Sequence, residues 1–215
     1  MTKKNWLRAL ALCIAFGAAG PGAQAAAAHG QAAELEDDTN RPVEDEPELA
    51  ESLADIRTRA QTGDARHQLY LGALYEFGEK GLKRDFPEAA KWYAKAADQG
   101  LARAQVRLGF LYEEGKGVGA DIGKAVALYT QSAEQGDAWG QAALGLSYMQ
   151  GRGVEQKDEQ AARWFRLAAE QGLAFGQRYL GTMLLVGRGV QKDMVAAAEW
   201  YRRAADQDDT AAMAA

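Results

Sequence analysis

A chain of 215 residues has room for one domain of ordinary size or one repeat array, which excludes an assembly of several large catalytic domains. Its 45 alanines against 8 valines and 3 isoleucines favour helices and withhold the β-branched residues of a sheet, so an all-α fold is expected. The net charge of −5 is unevenly placed: residues 31–51 hold nine acids and Arg41, Lys3, Lys4 and Arg8 precede them, and 21 acids meet 21 bases from residue 52 onward. No positive excess is left to neutralise phosphates, so nucleic acid is not an expected partner.

The first 25 residues read as a secretory signal. A basic start (Met1 to Arg8) leads into an apolar run (Ala9 to Ala19), a Gly-Pro-Gly break and the small-x-small site Ala23-Gln24-Ala25. The run is short for a membrane span and no stop-transfer pattern follows, so no integral membrane segment is expected after cleavage, and the product is expected in the periplasm or secreted. Cys13, the single cysteine, is preceded by Leu12, where a lipoprotein signal would want Gly, Ala or Ser. Cleavage after Ala25 leaves a mature chain without cysteine and therefore without disulfides.

Residues 26–46 are alanine-rich, then acidic, with Pro42 and no apolar periodicity, a composition that predicts disorder. A capping helix is predicted over 47–62. Leu49, Leu53, Ile56 and Ala60 share one of its faces, with acids early and Arg57 and Arg59 late, as the helix dipole prefers.

From Gly63 the chain aligns on itself at a period of 36, in four copies over 63–99, 100–135, 136–171 and 172–207. Each carries a Leu-Gly pair (Leu71-Gly72, Leu108-Gly109, Leu144-Gly145, Leu180-Gly181) and then a glycine-rich turn. Each closes through Trp92-Tyr93, Leu128-Tyr129, Trp164-Phe165 or Trp200-Tyr201. The pattern predicts a helix that stops at a glycine, then a second helix that in the first copy opens at Asp85-Phe86-Pro87-Glu88. The glycine after each leucine has a packing explanation: without Cβ, two helices can approach closely. Residues 208–215 read as a partial fifth repeat or a C-terminal cap, and a repeat array without a cap exposes apolar surface to a partner or second subunit.

The string Gly-Asp-Ala-x-x-Gln-x-x-Leu-Gly-x-x-Tyr-x-x-Gly-x-Gly-Val, followed by Ala-x-x-Trp-Tyr-x-x-Ala-Ala-x-Gln-Gly, resembles the Sel-1-like repeat, a relative of the tetratricopeptide repeat. Departures are single positions such as Leu128 for Trp and Leu184 for Tyr. The resemblance implies a right-handed α-solenoid of the exported bacterial type, serving as a protein-interaction scaffold.

Catalytic chemistry is sparse. Beyond residue 25 the histidines are His29 and His67, the second at a position held by Ala104, Gly140 and Gly176 in the other copies, which suggests a tightly packed structural site against the cap helix. No usual zinc ligand set is available, no cofactor is expected, and Ser52, Ser132 and Ser147 lie in no nucleophile motif. The glycine turns lack P-loop spacing, and Gly123-Lys124 runs into Ala125 where a hydroxyl is needed. The chain therefore reads as a non-enzyme. The alternative reading is weak binding or hydrolysis of a β-lactam or cell-wall ligand, as associated with cysteine-rich relatives, although their cysteines are missing here.

The resemblance also implies that the first helices line a concave face on which like positions stack. One stripe is Arg66, Arg103, Trp139 and Phe175; a second includes Phe110 and Leu146; a third ends in Met149 and Leu185. These eight residues are the expected protein- or peptide-binding set, with Arg66 and Arg103 steering acidic groups and the aromatic and methionine side chains supplying burial. Two other readings stay open: the stripe is core, buried by curvature, or it is the contact of a homo-oligomer.

Overall fold

The computed structural model describes residues 51–213, with side chains through Gln207, and all regular secondary structure among the described residues is helical. The expected signal (1–25) and acidic segment (26–46) lie outside them, as does Leu49. The helices are α1 (Leu53–Gln61), α2 (Ala65–Phe77), α3 (Phe86–Asp98), α4 (Ala102–Glu114), α5 (Ile122–Glu134), α6 (Ala138–Gln150), α7 (Asp158–Glu170), α8 (Ala174–Val186) and α9 (Met194–Met213). The first and second helix of each copy pack along each other, and each second helix packs on the next first helix. The first helices also meet directly, α4 with α6 and α6 with α8, which places them on the crowded inner side of the stack. The architecture is an all-α repeat solenoid.

Local signals set the helix bounds. Asp64, Asp85, Asp121 and Asp137 accept from the backbone N–H three residues on, at 3.0, 3.0, 3.0 and 2.7 Å. Each such cap is typically worth about 1 kcal/mol. Leu101, Lys157 and Leu173 begin their helices with no side-chain cap. First helices end at left-handed glycines, such as Gly115 at φ 68°, a conformation that costs a residue with Cβ.

The Leu-Gly glycines are where the two helices of a copy touch. A Cβ on Gly72 would lie 2.6 Å from the Tyr93 ring, one on Gly145 3.1 Å from Phe165, and one on Gly181 3.3 Å from Tyr201. Within each copy a glutamine pair ties the end of the second helix to the first helix. The side chain of Gln99 donates to Gln68 at 2.7 Å, Gln135 to Gln105 at 2.8 Å, Gln171 to Gln141 at 2.8 Å and Gln207 to Gln177 at 2.9 Å. The accepting glutamines are all buried. Gln68 in turn donates to the carbonyl of Ala60 in α1 at 3.0 Å, as Gln177 does to Ala169 in α7 at 3.3 Å. By this bond α1 takes the place of a preceding second helix, with Ile56 and Ala60 buried beneath it.

At the ends the structure shortens the expected capping helix and, of the two readings of the last residues, gives a continued helix and not a fifth repeat. The capping helix begins at Leu53, because Ser52 accepts from the Asp55 N–H at 3.2 Å and sets the N-cap there, five residues beyond Pro47. At the other end no fifth repeat opens: α9 runs unbroken for 20 residues where α3, α5 and α7 stop after 13. The reason is one position. Earlier copies are joined at Gly100, Gly136 and Gly172, with φ 85°, 88° and 91°, and Asp208 stands where the next such glycine would fall.

Candidate functional site

The expected binding set divides by burial. Arg66 is exposed, and Arg103, Trp139, Met149 and Leu185 are half-buried on the first-helix side. Phe110, Leu146 and Phe175 are buried, at 3, 5 and 0 % exposure, and are core residues, not groove residues. Packing explains the correction. Phe110 lies 5.4 Å from the Tyr129 ring, and Phe175 sits 4.5 Å from Tyr179 and 6.5 Å from Phe165, so these side chains turn inward to aromatic neighbours.

Arg103 and Trp139 meet between the second and third copies. The guanidinium carbon lies 5.0 Å from the Trp139 ring centroid, within cation–π range. Burial lowers the Arg103 pKa to about 10, with Asp137 opposing that shift, so the group stays charged at neutral pH. Its Nε has no hydrogen-bond partner among the described residues. A buried guanidinium N–H without an acceptor carries a desolvation cost.

Around this pair the acids of the inner face are already occupied. The hydroxyl of Tyr93 donates to Glu76, and Arg107 approaches the same carboxylate at 3.9 Å while lying 5.5 Å from the Phe77 ring. In the next copy Tyr129 donates to Glu113 at 2.7 Å and Arg152 pairs with that carboxylate at 2.6 Å. Burial, followed by the adjacent Glu76 or Glu113 charge, pushes both tyrosine hydroxyls well above the usual range. Glu76 and Glu113 are thus met by the tyrosine of their own repeat and an arginine of the next, and the stripe they form is less acidic than its sequence suggests.

The sequence reading passed over two groups. Arg107 is buried although arginine normally marks a surface, and Val186 is 55 % exposed beside Leu185, extending the apolar end of the face. The pairing of Tyr with Glu, absent from the third copy where Phe165 and Met149 hold the equivalent positions, is a readable sign that these positions touch. His67 is buried as a structural residue, its Nε2 3.1 Å from the Glu51 carboxylate just ahead of α1. Among the described residues no three His, Cys, Asp or Glu side chains are grouped to hold a metal, and no helix is long and apolar enough to cross a membrane.

Comparison with known families matches the Sel1 repeat at residues 68–101, 102–137, 140–173 and 174–209. The chain belongs to the Sel1 repeat family. The four Sel1 matches correspond to the four copies of the period, with the frame displaced by a few residues. Among solved structures, the chain is similar to a protective antigen present in uropathogenic Escherichia coli strains and displaying an SLR fold. The TM-score is 0.68 at 39% identity, over 72% of this chain and 33% of that one. A Sel1 repeat protein from Oxalobacter formigenes gives 0.63 at 34% identity, over 67% of this chain and 59% of that one.

Curated relatives also match part of the chain. HRD3A of Arabidopsis thaliana, an ERAD-associated E3 ubiquitin-protein ligase component, is 39% identical over 29% of this chain and 9% of its own length. The chitin synthase regulator SKT5 of Saccharomyces cerevisiae is 44% identical over 27% of this chain and 8% of its own. The likeness thus spans less than a tenth of either relative.

Proposed function

We propose that this Sel1 protein is a non-enzymatic interaction scaffold of the bacterial envelope whose first-helix face holds a protein or an extended peptide segment. The observation that carries this reading is Arg103, charged and stacked on Trp139, with both side chains half-buried on the first-helix side. Arg66 on one side, and Met149 and Leu185 on the other, extend the site from basic to apolar. A segment with a carboxylate near the second repeat and apolar side chains toward the fourth complements it. The relatives' names, a ligase component and a chitin synthase regulator, belong to proteins that work alongside an enzyme. The amino-terminal pattern, basic then apolar then small-x-small, supports export to the periplasm or beyond.

The test is cross-linking of the protein in its native envelope, with captured proteins identified by mass spectrometry, for the wild type and for Arg103→Ala and Trp139→Ala variants of unchanged helical signal. A partner captured by the wild type and lost in both variants is the expected result. The same partner retained in both moves binding away from the first-helix face. Turnover of a chromogenic β-lactam above the buffer rate would overturn the non-enzymatic part of the reading; none is expected.

A further inference from the structure

At each internal junction the second helix of one copy is covered by the next copy. Ala90, Val126 and Ala162, and one heptad on Ala97, Ala133 and Ala169, are buried there, at 8 % exposure or less. The glycine turn of the following copy closes over the helix start, Gly117 on Phe86, Gly153 on Ile122 and Gly189 on Asp158. In the fourth copy the equivalent residues Ala198 and Ala205 are exposed, and at the helix start Met194 and Val195 are 62 and 73 % exposed. The surface that three junctions bury is open on α9. Among the described residues the opposite end of the stack is covered by α1, which shows no buried-type apolar stripe left open to receive the α9 face.

We propose that this α9 face is where a second copy of the chain docks, the two α9 helices lying antiparallel about a two-fold axis. The charges on α9 are self-complementary in that arrangement. Arg202 and Asp206, both exposed, lie one turn apart at the rim of the open face. Antiparallel helices crossing near residue 204 set Arg202 of one copy against Asp206 of the other, twice by symmetry, as an isologous contact requires. Ala198 and Ala205 let the backbones approach closely, and Val195 comes near the last turn of the partner's α9. At 20 residues α9 reaches past the end of its own repeat, further than any internal second helix. This contact lies apart from the Arg103–Trp139 site and does not depend on it.

The experiment is sedimentation velocity on the full chain over a concentration series. The wild type is expected to pass from monomer to dimer and no further. Ala198→Glu is expected to weaken the dimer by about tenfold or more while leaving the thermal unfolding midpoint unchanged at concentrations where both proteins are monomeric, since the position is solvent-facing in the monomer. Arg202→Glu and Asp206→Arg should each weaken it, and the two together should restore it to within about threefold of the wild type. A monomer at every concentration, a dimer indifferent to a folded Ala198→Glu, a charge swap without rescue, or species that grow beyond a dimer would each overturn the two-fold α9 contact.

Discussion

The first two repeats and the third bury the same position with opposite chemistry. Tyr93 and Tyr129 bring a hydroxyl to the inner face and find Glu76 and Glu113; Phe165 brings none, and Met149 stands where the carboxylate would be. In place of the hydrogen bond Phe165 stacks on Tyr179 at 5.0 Å and approaches Phe175. Both partners of the pair change together. Leaving one polar member without the other would bury an unsatisfied group, at roughly 1–3 kcal/mol. The fourth repeat offers a third solution, with the Tyr201 hydroxyl 2.8 Å from that of Thr182, a short side chain nearer the glycine.

The largest effect that separates these halves is expected at the glycines. Gly72→Ala puts a methyl 2.6 Å from a Tyr93 ring whose hydroxyl is already engaged by Glu76, so the ring cannot slide away without losing that bond. A loss of about 3 kcal/mol is expected from overpacking plus disruption of the bond. At Gly145 the same methyl meets Phe165 at 3.1 Å and no hydrogen bond holds that ring, so Gly145→Ala is expected to cost about 1 kcal/mol. Denaturant unfolding of the two variants checks the ranking. Equal losses would mean that the hydroxyl does not anchor the ring.

Tyr93→Phe comes next, at about 2 kcal/mol, because Glu76 keeps only the more distant Arg107. Tyr129→Phe is expected to cost less, since Arg152 still pairs with Glu113 at 2.6 Å. Alkaline pH probes the same pair. Both tyrosines ionise well above the usual value of about 10 when folded, whereas in the unfolded chain they ionise near it. Below pH 10 both states keep the proton and nothing changes; above it only the unfolded chain releases the proton, and stability falls as pH rises. The Tyr93→Phe, Tyr129→Phe double variant should show a shallower loss between pH 10 and 11, measured by urea unfolding. An unchanged slope would place the titration elsewhere.

The repeat itself was legible because its signals are local. Asp85 with Pro87 marked a helix start, and the glycine turns marked first-helix ends, each through backbone geometry that one residue decides. Burial within a stripe was not legible, because it depends on neighbours in other helices. Arg66 and Phe175 hold the same place in their repeats, yet one faces solvent and the other faces Phe165 and Tyr179. The long α9 could have been read from Asp208, where the joining glycine is missing. The likeness of the following residues to a repeat start leaves a partial repeat and a cap equally compatible with the sequence.

The smallest effect belongs to what the halves share. The glutamine pairs run through all four repeats with nearly constant length, 2.7 to 2.9 Å, in both polar and aromatic halves. Each joins the end of a second helix to a buried glutamine of its own first helix. Gln171 and Gln207 also reach the backbone carbonyls of Gly136 and Gly172, at 2.9 and 2.8 Å. Replacing the donor by alanine removes bonds of ordinary strength and strands a buried amide oxygen near the edge of solvent, where water can replace part of the loss. Gln99→Ala and Gln171→Ala are each therefore expected to cost about 1 kcal/mol, with Gln171→Ala the larger by a few tenths for its extra carbonyl. A cost at Gln99 several times that at Gln171 would show that the first repeat is held by its polar groups throughout. Near-equal costs would confine the difference between the halves to the ring positions and leave the glutamines as the element that makes the repeats interchangeable.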